Sequence, residues 1–328
     1  MGAGCTAGIG VVRYMGTNIL KKEFSGFGLR MLSCTVIIDV IQVAAQLFLI
    51  LTNIGHSTGS GRDMNVVIVS MMIPMYAIGY PCAFLILQDV DKRTIVKRKM
   101  KAKHFFIAFL MAYALMTAGN IIGVLVTSGI EILKREPVYD SVSELIGSLN
   151  MWFVFIFVVI AAPVFEELLF RKFLCDRVAK YGQGTAIILS GLMFGLFHGN
   201  FQQFFYAFFI GCFFAFIYLK TGNIKYTIGL HIIVNFIGGV VGGFLLKYVD
   251  FENLTSASLI IMAVYILILY GIAIAGTVLF LLNRSKFKLD AGEIYIDRYK
   301  RNSTVFLNAG MILYGVVYLI MMVVQAFT

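Results

Sequence analysis

Apolar residues run along this chain in blocks of about 20 or more, separated by short polar segments. A helix of that length crosses ~30 Å of hydrocarbon and exceeds an ordinary core strand or helix. The blocks fall at roughly 32–54, 66–88, 105–130, 151–170, 185–200, 202–219, 226–247, 257–282 and 305–327, which predicts nine spans. The block at 185–200 is the shortest. The alternating pattern of a membrane barrel is absent. Lipid requires every backbone polar group to be bonded within the protein, so helices are the expected form. The predicted fold class is all-α, a polytopic transmembrane helical bundle of about eight to nine spans.

The polar segments set the orientation. Lys92 to Lys103, Arg171 to Lys180, Lys220 to Lys225 and Arg284 to Arg301 are strongly basic. The alternate connections, Gly55–Asn65, Glu131–Asn150 and Lys247–Ser256, are neutral or acidic. Basic loops stay in the cytosol, so an odd span count puts the N-terminus there and the C-terminus outside. The expected location is the cell membrane, with many passes. Basic loops at 89–104 and 283–304 mark module edges. They divide the chain into a cytosolic lead-in (1–31), N-terminal helices with a basic loop (32–104), a core (105–282), and a basic loop with a last helix (283–328).

Composition agrees. Hydrophobic residues make up 60% of the chain and charged residues 13%, against roughly half and a quarter in a soluble domain. A net charge of +10 would suit nucleic acid, but its confinement to loops reads as topology, and no nucleic-acid partner is expected. Five scattered cysteines (Cys5, Cys34, Cys82, Cys175, Cys212) form neither a disulfide framework nor a CxxC zinc pattern. The N-terminus lacks a signal-peptide pattern. Met1-Gly2 with Thr6 fits the myristoylation pattern, which in a chain of many spans reads as chance.

Charged groups in mid-membrane cost roughly 2.5–3.5 kcal/mol each on insertion scales, so those present are functional candidates. Three clusters stand out. In Pro163-Val164-Phe165-Glu166-Glu167-Leu168-Leu169-Phe170-Arg171, Glu167 and Arg171 are four apart and can pair. That leaves Glu166 for another task, and a carboxylate in a dry site suits a general base. Pro163 removes a backbone donor and should kink the helix. In Phe194-Gly195-Leu196-Phe197-His198, Phe194 lies one turn below His198, and Gly191 and Gly195 allow close helix packing. In His231-Ile232-Ile233-Val234-Asn235, His231 and Asn235 share a face and offer two donors to a developing oxyanion. Gly238-Gly239 and Gly242-Gly243 on the same block read as a further packing surface. The bland readings are interfacial snorkelling for the glutamates, a helix-end histidine for His198, and interhelical glue for His231 with Asn235. Asp39, Gln42, Gln46 and Asn120 read as bonds to neighbouring helices more than as cavity lining. His56 and His104 fall at loop or interface positions.

Glu166-Glu167-x-x-x-Arg171, Phe194-x-x-x-His198 and His231-x-x-x-Asn235, in that order on three predicted helices, resemble the CPBP family, the CAAX-protease and bacteriocin-processing (Abi-type) intramembrane proteases. The resemblance covers roughly residues 150–240. It implies an intramembrane endopeptidase acting on a membrane-associated peptide or protein, with the core at 105–282 as the protease unit. Glu166 would activate a water with help from His198, His231 and Asn235 would stabilise the oxyanion, and Glu167, Arg171 and Phe194 would support them. No cofactor is expected. Zinc on Glu166, His198 and His231 is the alternative, although HExxH is absent. A non-catalytic scaffold or immunity protein, or a transporter using the same groups as an ion path, are the competing functions.

Overall fold

The computed structural model describes residues 13–52, 64–138, 149–243 and 255–327. Cys5, His56 and the Met1-Gly2 pattern lie outside them. Among the described residues eight helices are long and apolar enough to cross a membrane. They are α1 (Thr17–Thr52), α2 (Asn65–Gln88), α3 (Ala102–Lys134), α4 (Met151–Tyr181), α6 (Phe201–Thr221), α7 (Ile224–Val241), α8 (Ser256–Lys286) and α9 (Ala309–Phe327). The remaining apolar block, at 185–200, forms a shorter helix, α5 (Gln183–Phe197). The chain is a multi-pass, all-α membrane protein. The α5 helix of 15 residues rises only ~22 Å, less than the hydrocarbon thickness.

Two boundaries differ from the hydropathy reading. The α1 helix starts at Thr17, well before residue 32, and Leu20, Phe24 and Phe27 on its first turns are buried. The α4 helix runs past residue 170 to Tyr181, so Arg171 belongs to the core and not to a basic loop. Hydropathy ended that span at Arg171 because it scores charge without knowing its partner.

The ends of the helices fall on two sides. On the basic side, the amide of Arg93 donates to the Asp176 carbonyl at 2.6 Å and that of Arg98 to the Thr221 carbonyl at 2.7 Å. Asp290 receives Lys220 at 3.1 Å and Gln183 at 2.8 Å. A two-residue parallel bridge joins β1 (Arg13–Tyr14) to β2 (Ile294–Tyr295). These contacts tie the basic segments into one layer. On the other side the Asn150 amide donates to the Asn65 side chain at 2.9 Å.

Small residues set the helix crossings. A Cβ on Gly119 would lie 2.6 Å from the Tyr206 nitrogen, which lets α3 approach α6. At Gly191 it would collide with Cys212 and reach 2.9 Å from that residue's backbone nitrogen, so α5 packs directly on α6. The Gly238-Gly239 and Gly242 stretch behaves differently. Nothing lies within 4 Å of a Cβ at Gly238, and Gly239 and Gly242 meet neighbours only at 3.6 and 3.3 Å. That stretch is open rather than tightly packed. Substitution of Gly191 by alanine is expected to destabilise the detergent-solubilised protein by about 1–3 kcal/mol, the usual cost of overpacking. Gly271→Ala, where the space is open, is expected to leave the thermal midpoint unchanged. Equal midpoints for both would remove the close α5–α6 crossing from the account.

Candidate functional site

The α4 helix carries both glutamates on an α-helical turn, Ala162–Glu167, between two π-helical stretches, Val154–Ala161 and Leu168–Cys175. Such wide turns are frequent where helices carry functional sites. The sequence explains the first one. In the π register the Ala162 amide donates to Phe157, five residues back. The next donor in that register would be residue 163, a proline with no N–H. The Val158 carbonyl is therefore left over, and Asn235 Nδ2 donates to it at 3.0 Å. In place of a broken helix, Pro163 creates a carbonyl that anchors α7 to α4.

The second glutamate enters a buried charged cluster. Glu167 Oε1 lies 3.0 Å from Arg171 Nη2 and 3.2 Å from His231 Nδ1. Glu167 and Arg171 are fully buried and His231 is 3% exposed. Arg171 Nη1 also donates to Ser190 at 3.3 Å. Its guanidinium stacks against Phe194 at 4.7 Å and Phe214 at 5.9 Å. The pairing expected from four-residue spacing is formed. The contact to His231, 64 residues further along, was not legible from spacing. By accepting from Nδ1, Glu167 fixes the orientation of the His231 ring and leaves Nε2 facing the site.

Glu166 points the other way. Its Oε2 lies 3.8 Å from His231 Nε2. Among the described residues its direct ionic contact is thus with His231. His198 Nδ1 lies 2.8 Å from the Phe194 carbonyl. A carbonyl only accepts, so Nδ1 carries the proton, and in the neutral ring Nε2 keeps its lone pair. Gly199, at φ 65°, ends α5, and the Asn200 side chain donates to the His198 carbonyl at 2.9 Å. Phe194 stands between the two histidines, edge-on to His198 at 4.8 Å and to His231 at 5.8 Å.

Depth follows from the hairpin of α4 and α5 about Gly182, at φ 108°. Glu166 lies 15 residues before Tyr181, and His198 lies 15 residues after Gln183. The two residues are therefore displaced equally along antiparallel helices, ~22 Å from the turn for ideal helices. Had the fourth span ended at residue 170, Glu166 would have been far shallower than His198.

Glu166, His198, His231 and Asn235 all line one cavity of about 610 Å³. Phe194, Gly238 and Gly239 share its wall, so the glycines leave space where a side chain would intrude. Gln42 and Asn120, expected to bond neighbouring helices, line it too, as do Tyr76, Gln202, Gln203 and Tyr206. The last three follow His198 on the first two turns of α6. Their signal in the sequence was a polar start to an otherwise aromatic block. His104 lies far along α3 from Asn120 and joins a different cavity.

The zinc alternative needs Glu166, His198 and His231 as one donor set. Nδ1 of each histidine is bonded within the protein, which leaves each Nε2 as the nitrogen a metal would take, but among the described residues no three His, Cys, Asp or Glu side chains gather as an ion site.

Residues 148–237 match the Rce1-like family of type II CAAX prenyl endopeptidases. The matched segment holds all three motifs and bears out the resemblance to CPBP membrane proteases. The match implies a protease, with a peptide or protein substrate and a membrane setting. No curated protein and no solved structure matches the chain.

Proposed function

We propose, with the match of residues 148–237 to type II CAAX prenyl endopeptidases as the premise, that this protein is an intramembrane endopeptidase using a glutamate-activated water. The observation that carries the reading is the convergence of Glu166, His198, His231 and Asn235 on one cavity inside a helical bundle. The substrate is a membrane-associated peptide or protein, and the basic side of the bundle faces the cytosol.

A water in the cavity gives a proton to Glu166 and attacks the scissile carbonyl carbon. His198 Nε2, a lone-pair acceptor, orients that water. The oxyanion forms against Nε2–H of a doubly protonated His231 ring, which enters the step in that form and leaves it unchanged, with Nδ1–H held by Glu167. An Asn amide has two N–H groups. One of Asn235 goes to Val158, and the oxyanion takes the other. Collapse breaks the C–N bond, and Glu166 passes its proton to the leaving amine. No step requires a metal.

The test is cleavage of a CAAX reporter peptide, farnesylated and unfarnesylated, by the purified protein in proteoliposomes, read by mass spectrometry of the released tripeptide. The wild type is expected to release it from at least one of the two. His198→Ala is expected to abolish release, with membrane insertion intact. Full cleavage by His198→Ala would overturn the mechanism. Ion flux dependent on Glu166, without any cleavage, would replace the protease with a transporter.

A further inference from the structure

A second cavity, of about 350 Å³, lies between the basic-side ends of α3, α6 and α8. Its chemistry is graded along the helices. Lys103 and His104 on the first turn of α3, and Asn283 and Lys286 at the end of α8, line it at the basic layer. Deeper along α3 come Ile107 and Met111, the latter ~12 Å below Lys103. Phe213, Phe216 and Ile217 of α6 form the facing wall, and Phe287 packs on Phe216 at 5.0 Å. No acidic side chain lines it among the described residues. Each of its two lysines comes from a basic segment: Lys103 from Lys97 to Lys103, before and into α3, and Lys286 from Arg284 to Lys288, at the end of α8. Lys286 Nζ donates to Asn283 at 2.7 Å, which holds its charge over the opening. Lys103 and His104 are exposed there.

We infer that this slot binds one anionic glycerophospholipid, with its phosphate against Lys103 and Lys286 and one acyl chain along Ile107, Met111, Phe213 and Phe216. Cations at one end and hydrocarbon at the other are what such a lipid requires. Basic pockets between transmembrane helices on the cytoplasmic side recognise anionic head groups in this way. A free phosphate would find the cations but leave the apolar length of the slot unfilled. A neutral lipid would leave the lysines without a counter-charge. The slot shares α3 and α6 with the main cavity, whose lining includes Met116, Asn120 and Tyr206 further along the same two helices. A lipid seated there would brace the helix pair that carries part of the proposed substrate cavity, but its binding does not depend on the protease reading.

The experiment is native mass spectrometry of the full-length protein extracted from nanodiscs of equal phosphatidylglycerol and phosphatidylcholine. The wild type is expected to retain one phosphatidylglycerol. The Lys103→Gln/Lys286→Gln variant should lose at least tenfold of that occupancy. Lys97→Gln/Lys288→Gln, which removes the same charge outside the slot, should keep it. Equal losses in both double variants would show attraction to bulk charge only and overturn the site. Retention by Lys103→Gln/Lys286→Gln, or equal retention of phosphatidylcholine by the wild type, would also overturn it. Thermal midpoints of both variants, measured without added lipid, exclude unfolding as the cause of a loss.

Discussion

Replacing Glu166 by glutamine is expected to lower the single-turnover cleavage rate by about 10²–10⁴-fold, the usual contribution of a positioned general base. The substitution keeps the side chain's size and removes its capacity to take a proton. The fold should not notice. Glu166 lies outside the buried Glu167–Arg171 pair, its side chain is 14% exposed, and its contact with His231 is long at 3.8 Å. The thermal midpoint in detergent is therefore expected to stay near the wild-type value. The binding of a reporter peptide should also change little, so the loss should appear in the rate at saturating substrate. A variant that cleaves at the wild-type rate would remove Glu166 from the chemistry. A variant that is inactive only because it no longer inserts or folds would show it in the midpoint. A scaffold or immunity protein would keep its biological activity with glutamine in place, because the shape of the site is preserved.

The sequence carried the fold further than the site. Apolar blocks of membrane length marked the eight helices long enough to cross a membrane among the described residues, and counted the short α5 as a ninth, since the pattern follows from the bilayer acting as solvent. The errors came where charge is paired within the membrane. Arg171 marked the end of a span by hydropathy, yet it is fully buried because Glu167, Ser190 and two phenylalanine rings receive it. Local spacing gave the Glu167–Arg171 pair and the shared face of His231 and Asn235. It could not give the bond from Glu167 to His231, because that contact depends on how α7 docks on α4. Gln42 and Asn120 illustrate the same limit. An amide inside a helix can meet a neighbour or a cavity, and the choice rests on tertiary packing. Pro163 was legible as a disturbance, but the π register that turns it into an anchor for Asn235 was not.

The second large effect is expected at Arg171. Removing one member of a buried ion pair leaves the other charge without its counter-ion and costs about 3–5 kcal/mol. Arg171→Ala should accordingly lower the thermal midpoint sharply and reduce the yield of folded protein, because Glu167 would stay buried without its guanidinium counter-ion. It would also remove the cation stacked between Phe194 and Phe214. Lysine is not an adequate substitute. It keeps the charge but lacks the planar group that stacks on rings while bonding a carboxylate and a hydroxyl at once. Apolar side chains of similar volume at both positions often restore the stability of a lost buried pair. The Glu167→Met/Arg171→Met protein should therefore regain much of its midpoint. It should nonetheless remain inactive, because His231 has lost the carboxylate that fixes its ring. Recovery of stability without recovery of cleavage would separate the two duties of the cluster. Recovery of both would mean that Glu167 does not orient His231, and a midpoint unchanged in Arg171→Ala would mean that the pair does not hold the helices together.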